Sequence, residues 1–134
     1  MENQLEEIDR VNHEVAAYLE DLSIQVKVRR QLSVVFDELL NNIITYAFPD
    51  NDKHFIDISV AVTDQRLVIS ISDDGTPFNA FSQETPDTDL PLEDRPEGGL
   101  GIHIVRNLMD EINYQRAIGR NTITLVKLLR ETPA

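Results

Sequence analysis

Three short segments hold residue types whose spacing could do chemistry. In Phe36-Asp37-Glu38-Leu39-Leu40-Asn41-Asn42, Glu38 and Asn42 stand four residues apart, so on a helix they project from one side, just beyond an apolar stripe. A carboxylate and an amide oxygen then face one pocket. Such donors suit a hard cation such as Mg²⁺, which keeps several waters and takes its other ligands from substrate phosphates. In Ile71-Ser72-Asp73-Asp74-Gly75-Thr76-Pro77-Phe78 an apolar strand runs into a turn. An acid there can accept a hydrogen bond from an exocyclic amine such as that of adenine, and Gly75 permits close ligand approach. In Glu97-Gly98-Gly99-Leu100-Gly101-Ile102 glycines open a helix, and free amides with the positive end of the helix dipole favour an anion, above all phosphate. No Gly-Lys-Ser/Thr follows and no strand leads in, so this is neither a P-loop nor a dinucleotide fingerprint. Taken singly, the first two segments have plainer readings, a solvated helix face and a strand-end turn.

The elements that must position these residues are read from periodicity. Leu5, Ile8, Val11, Val15, Tyr18 or Leu19, and Leu22 recur at steps of three and four, which predicts an amphipathic helix broken at Ser23. A second helix is expected from Gln25 to Ala47, through Leu32, Val35, Phe36, Leu39 and Ile43, stopping before Pro49-Asp50-Asn51-Asp52. Ile56, Ile58, Val60 and Val62 alternate with polar or small residues, and Leu67, Ile69 and Ile71 do so after Asp64-Gln65. Two adjacent antiparallel strands with one buried face follow. Between Gly75 and Gly101 the periodicity vanishes into a stretch with Pro77, Pro86, Pro91 and Pro96 and many acids, the mark of a lid or binding loop. Helical spacing returns with Ile104 or Val105, Leu108 and Ile112, and strand patterns at Asn113 to Gln115 and Thr122 to Leu128 flank Gly119. The order helix, helix, strand, strand, loop, helix, strand, strand gives an α+β fold, a two-layer sandwich with the helices on one face of the sheet.

Composition sets the outer limits. A chain of 134 residues is expected to form one domain over 1–134, burying about 68% of the surface exposed by its unfolded chain. Hydrophobic residues at 41% and charged residues at 27% exclude a disordered tail or fibrous repeat. The absence of cysteine removes disulfides, thiolate nucleophiles and cysteine metal sites, and fits a reducing compartment. With 24 acidic against 12 basic residues, the net charge of -12 repels nucleic acid and anionic membranes and favours a basic protein partner. Neither a signal peptide nor an apolar run of roughly 20 residues is visible, so a cytoplasmic location without membrane contact is expected.

It is the ordered set of segments that is specific. E-x-x-x-N, D-x-G-x-P and G-G-L-G-I-x-I-V, on helix, strand end and helix start, resemble the N, G1 and G2 boxes of the GHKL ATP-binding superfamily. Within it the chain most resembles the bacterial anti-sigma-factor serine/threonine kinases of the RsbW and SpoIIAB type, over nearly its whole length. The resemblance implies the Bergerat fold, with a mixed, mostly antiparallel sheet, and ATP and Mg²⁺ as cofactors. It makes Glu38 the general base, Asn42 the Mg²⁺ ligand, and Asp73 with Gly75 the adenine site. Gly99, Leu100 and Gly101 would hold phosphates, Thr122 and Thr124 on a closing strand would help bind nucleotide, and 76–97 would be the ATP lid. The implied partners are a sigma factor and an anti-sigma-factor antagonist protein, with a homodimer expected. Where related kinases carry an arginine before the second glycine box, this chain has Glu97.

Three functions therefore compete. A kinase would transfer the γ-phosphate of ATP to a serine or threonine of the antagonist, by positioning and charge stabilisation. A nucleotide-dependent binding switch would use ATP to select partners with little catalysis, as Glu97 and the acids Glu84, Asp87, Asp89, Glu93 and Asp94 favour. A detached histidine-kinase catalytic domain is disfavoured, since His13 has no room upstream for a dimerisation segment. His13 and His103 read as helix-surface residues, and His54 opens a strand with no visible ligand partner.

Overall fold

The computed structural model describes residues 1–82 and 99–129. Helix α1 (Glu7–Asp21) buries Ile8, Val11 and Leu19; Leu19 rather than Tyr18 joins the stripe, and Leu5 and Leu22 lie exposed outside its ends. Glu7 and Asp9 face the positive end of the helix dipole. At the other end Ser23 adopts φ 59°, and its amide and that of Ile24 return to the carbonyls of Glu20 and Leu19 at 2.9 and 3.0 Å. This is a Schellman closure with serine where glycine is usual.

Helix α2 (Val26–Tyr46) carries the main apolar stripe, with Leu32, Val35, Phe36, Leu39, Leu40 and Ile43 buried, and it packs against both α1 and the later helix Gly99–Leu108. Strands β1 (Ile56–Thr63) and β2 (Arg66–Asp73) form a hairpin. Asp64 and Gln65, at φ 50° and 62°, make the two-residue turn whose twist matches paired strands. A short 3₁₀ turn, Ala80–Ser82, buries Ala80 and Phe81.

Helix α3 (Gly99–Leu108) places Val105, not Ile104, in the core. It ends where Lys127 Nζ donates to the Leu108 carbonyl at 2.8 Å. Ile112, four residues beyond Leu108, does not continue it but lies on β3 (Glu111–Ala117), because a spacing of four is even and so fits a strand's period of two as well as a helix turn. Strand β4 (Arg120–Leu128) closes a sheet of order β1-β2-β4-β3, antiparallel at every pairing rather than mixed. The alternating residues Ile56, Leu67, Ile69, Ile71, Ile123 and Leu125 face the helices and complete the core. The expected two-layer α+β sandwich is the observed one.

Candidate nucleotide-binding site

Helix α2 runs the length of the site. From Glu38 to Ala47 it covers about 14 Å at 1.5 Å per residue, a span on the scale of an extended nucleoside triphosphate. At one end, Asn42 is 6% exposed and its Nδ2 donates to the Glu38 carbonyl at 2.7 Å. Only the amide nitrogen can satisfy a carbonyl, so that bond leaves Asn42 Oδ1 as the acceptor, with no donor on it among the described residues. Glu38 is half-buried, and its carboxylate fills the space that a Cβ on Gly101 would take. The segment Gly99, Leu100 and Gly101 forms the first turn of α3 itself, and at Gly101 that turn lies against Glu38. Helix α3 therefore begins earlier than the apolar spacing at Val105 indicates.

At the other end, Asp73 closes β2 and is 2% exposed. Its Oδ1 accepts from the Gly75 amide at 2.8 Å and from Asn121 Nδ2 at 3.0 Å. The turn after it docks on the end of α2: the Thr76 amide donates to the Ala47 carbonyl at 2.8 Å, and a Cβ on Gly75 would meet that carbonyl and, at 2.9 Å, the Ala47 Cβ. Arg116 Nη1 donates to the Gly75 carbonyl at 2.7 Å.

Thr122 and Thr124 are not brought to this site. They alternate with Asn121, Ile123 and Leu125, so they project from the sheet face opposite Asp73, and Thr122 Oγ1 bonds Ser72 Oγ at 3.3 Å. The residue on the site's face is Asn121, the register partner of Asp73. The signal that finds it is parity, because Asn121 falls in step with the apolar Ile123 and Leu125.

The expected lid, 76–97, is described only as far as Ser82; its other residues, with Glu97, lie outside the described residues. Its described start is packed. Phe81 is buried, and Arg106 of α3 donates to the Phe81 carbonyl and stands 5.9 Å from its ring centroid.

Beside the site, His54 is bonded on both sides. Its Nδ1 lies 2.9 Å from Asp74 Oδ1 and its Nε2 2.8 Å from Asp50 Oδ2, while its ring stacks on Phe48 at 4.7 Å. The hydrogen bond with Asp50 raises its pKa above the ordinary value; partial burial opposes this and Asp74 adds to the rise. Asp50 is lowered, first by the Asp52 amide and then by His54. His13 and His103 are exposed on their helices.

The residues fit Mg²⁺ only as a guest held largely by its substrate. Among the described residues no group of three or more acids or histidines could hold a metal, which leaves Asn42 Oδ1 and the Glu38 carboxylate one helical turn away, few enough donors to suit a cation held mainly by substrate phosphates.

This fold and site define a class. The model of the histidine kinase-like ATPase domain matches residues 1–127, and the chain belongs to that family. It is 30% identical over 99 residues to a serine/threonine-protein kinase, BtrW, of Bordetella bronchiseptica, covering 74% of this chain and 70% of that one. It is also 30% identical over 104 residues to the serine-protein kinase RsbW of Bacillus cereus strain AH187, covering 75% of this chain and 64% of that one. The blue-light activated histidine kinase of Erythrobacter litoralis EL346 shares the fold, with a TM-score of 0.58 at 22% identity over 79% of this chain and 32% of that one. Among the described residues no helix is long and apolar enough to cross a membrane.

Proposed function

We propose that this chain is an ATP-dependent protein serine/threonine kinase that phosphorylates an anti-sigma-factor antagonist and, as an anti-sigma factor, sequesters a sigma factor. The kinase part of the reading is supported by the relatives BtrW, named a serine/threonine-protein kinase, and RsbW, named a serine-protein kinase. It works as one domain, in the cytoplasm and as a homodimer, without direct contact with nucleic acid, in keeping with a net charge of -12.

In this reading the adenine amine donates to Asp73, and Gly75 serves the same site by letting the turn close on Asp73 and the end of α2. The phosphates lie on the amides at Gly99, Leu100 and Gly101. Asn42 Oδ1 is a ligand of Mg²⁺, which when bound neutralises phosphate charge. Glu38 accepts the proton of the attacking hydroxyl, whose oxygen bonds to the γ-phosphorus as the β–γ bridging oxygen departs with ADP. The observation that carries the reading is the seat of the Glu38 carboxylate against Gly101 in the opening turn of α3, a base beside an anion site.

The test is incubation with γ-labelled ATP, Mg²⁺ and candidate antagonist proteins. Label on a serine or threonine of one of them is the expected result. ATP binding with no transfer to any of them would replace the kinase with a nucleotide-dependent binding switch.

A further inference from the structure

Asn121 is 2% exposed and makes four hydrogen bonds, the full capacity of its side chain. Its two amide protons go to Asp73 Oδ1 at 3.0 Å and the Thr76 carbonyl at 2.8 Å. Its Oδ1 accepts from the Phe78 amide at 3.2 Å and from the Tyr114 hydroxyl at 2.5 Å. The Phe78 amide, which can only donate, and the Thr76 carbonyl and Asp73 carboxylate, which accept, determine which way the amide points, and the Tyr114 hydroxyl then holds Oδ1 in place. Were it to flip, two acceptors would oppose each other at Asp73 and two donors at Phe78, and a buried mismatch of that kind is costly.

A consequence reaches Asp73. Its Oδ1 is occupied by two donors, Gly75 N and Asn121 Nδ2, while Oδ2 has no hydrogen-bond donor among the described residues. No fully buried side-chain oxygen or nitrogen among them lacks a partner, so the small opening left to Asp73 is at Oδ2. The carboxylate is thereby held in one rotation with one oxygen on offer.

We propose that Asn121, oriented by Tyr114 from the edge strand β3, is a positioning residue for base selection: it locks Asp73 so that one acceptor oxygen faces the purine and rewards an amine donor over a carbonyl. The proposal rests on Asp73 being the adenine acceptor. The same side chain grips Thr76 and Phe78, so the acceptor and the start of the segment leaving the site are set as one unit. A carboxylate free to rotate, with water drawn in beside it, would meet guanine's carbonyl through a bridging water and discriminate less.

The test is calorimetric titration of the full chain with ATP and with GTP, in wild type, Tyr114→Phe, Asn121→Ala and Asp73→Asn, with denaturation midpoints measured in parallel. Tyr114→Phe removes one hydroxyl and is expected to weaken ATP about three- to tenfold, to narrow the ATP over GTP preference, and to leave the midpoint nearly unchanged. Asn121→Ala is expected to do more of the same. A loss of affinity in Asp73→Asn with unchanged affinity and preference in Tyr114→Phe and in a folded Asn121→Ala would overturn the positioning role alone. If Asn121→Ala fails to fold, Tyr114→Phe decides. Unchanged ATP and GTP affinities in Asp73→Asn would remove Asp73 from the site and the proposal with it.

Discussion

The two ends of the site are built by different means. At the Asp73 end the parts come from four elements and are interlocked: Asp73, Gly75, Thr76, Phe78, Tyr114, Arg116 and Asn121 share a continuous set of hydrogen bonds. At the Glu38 end the pairing is local, one turn of α2 with a single side-chain bond from Asn42 to the Glu38 carbonyl, and the carboxylate lies on the turn of another helix. One end is fixed before any ligand arrives; at the other a flexible side chain meets a glycine. Under the proposed function, recognition of a flat, rigid base gains from the first design, and a general base gains from the freedom of the second.

The sharpest way to break this division is Glu38→Gln. The change keeps size and hydrogen-bonding capacity but removes the basic carboxylate, and a positioned general base contributes about 10²- to 10⁴-fold. Transfer of labelled phosphate should fall by that factor while ATP affinity, measured by calorimetry, stays near wild type. A parallel fall in affinity would mean that the two ends do not divide recognition from chemistry.

The glycines offer a second contrast, since the same substitution should act differently at each end. Gly75→Ala would drive a Cβ into the Ala47 backbone carbonyl and to 2.9 Å from Asp73 Oδ1, neither of which can step aside, so a loss of about 1 to 3 kcal/mol is expected in denaturant titration. In Gly101→Ala the clash is with the end of the Glu38 side chain, which can swing away. There the gain in helix propensity, up to about 1 kcal/mol, offsets the crowding, so the midpoint should hold while phosphotransfer falls with the displaced carboxylate.

The smallest expected effect is a pH dependence seated next to the interlocked end. His54 has a raised pKa, so its bonds to Asp50 and Asp74 contribute stability that is fully present below the ordinary histidine value and is lost as pH rises through the folded one. Asp50 is lowered, so its contribution is present above the ordinary carboxylate value and is lost as pH falls through the depressed one. The denaturation midpoint of the wild type should drift down from about pH 6 to 8, and His54→Gln should flatten that drift. An identical slope in the variant would place the titrating group elsewhere.

What could be read from the sequence follows the same line. That Glu38 and Asn42 share one helix is legible because helix spacing is local, and the first hairpin and the strands on either side of Gly119 are legible because alternation is local. Asn121 was missed because threonines invite attention by type, whereas the face a strand residue occupies is set by parity, and its partner Asp73 lies 48 residues away through a register that the alternation leaves open. His54 has carboxylates on both ring nitrogens for a related reason. Asp50 is four residues upstream, but Asp74 arrives only because β1 pairs with β2 so that Ile56 faces Asp73. Ile112 misled because one spacing satisfies two periods.

The strand order β1-β2-β4-β3 has a consequence for the newly made chain. The last of these four strands to be made is not an edge but an interior one, inserted between β2, made long before it, and β3, made just before it. Until β4 enters, β2 has an open edge, Asp73 has lost its amide partner, and Tyr114 has nothing to orient. A growing chain can therefore possess every residue of Glu38, Asn42, Asp73 and Gly101 and still lack the completed bonding around Asp73 on which the proposed base recognition rests. Competence arrives with the final, most distant pairing, the kind that topology makes slow, so a molecule able to grip nucleotide is one whose sheet has already closed.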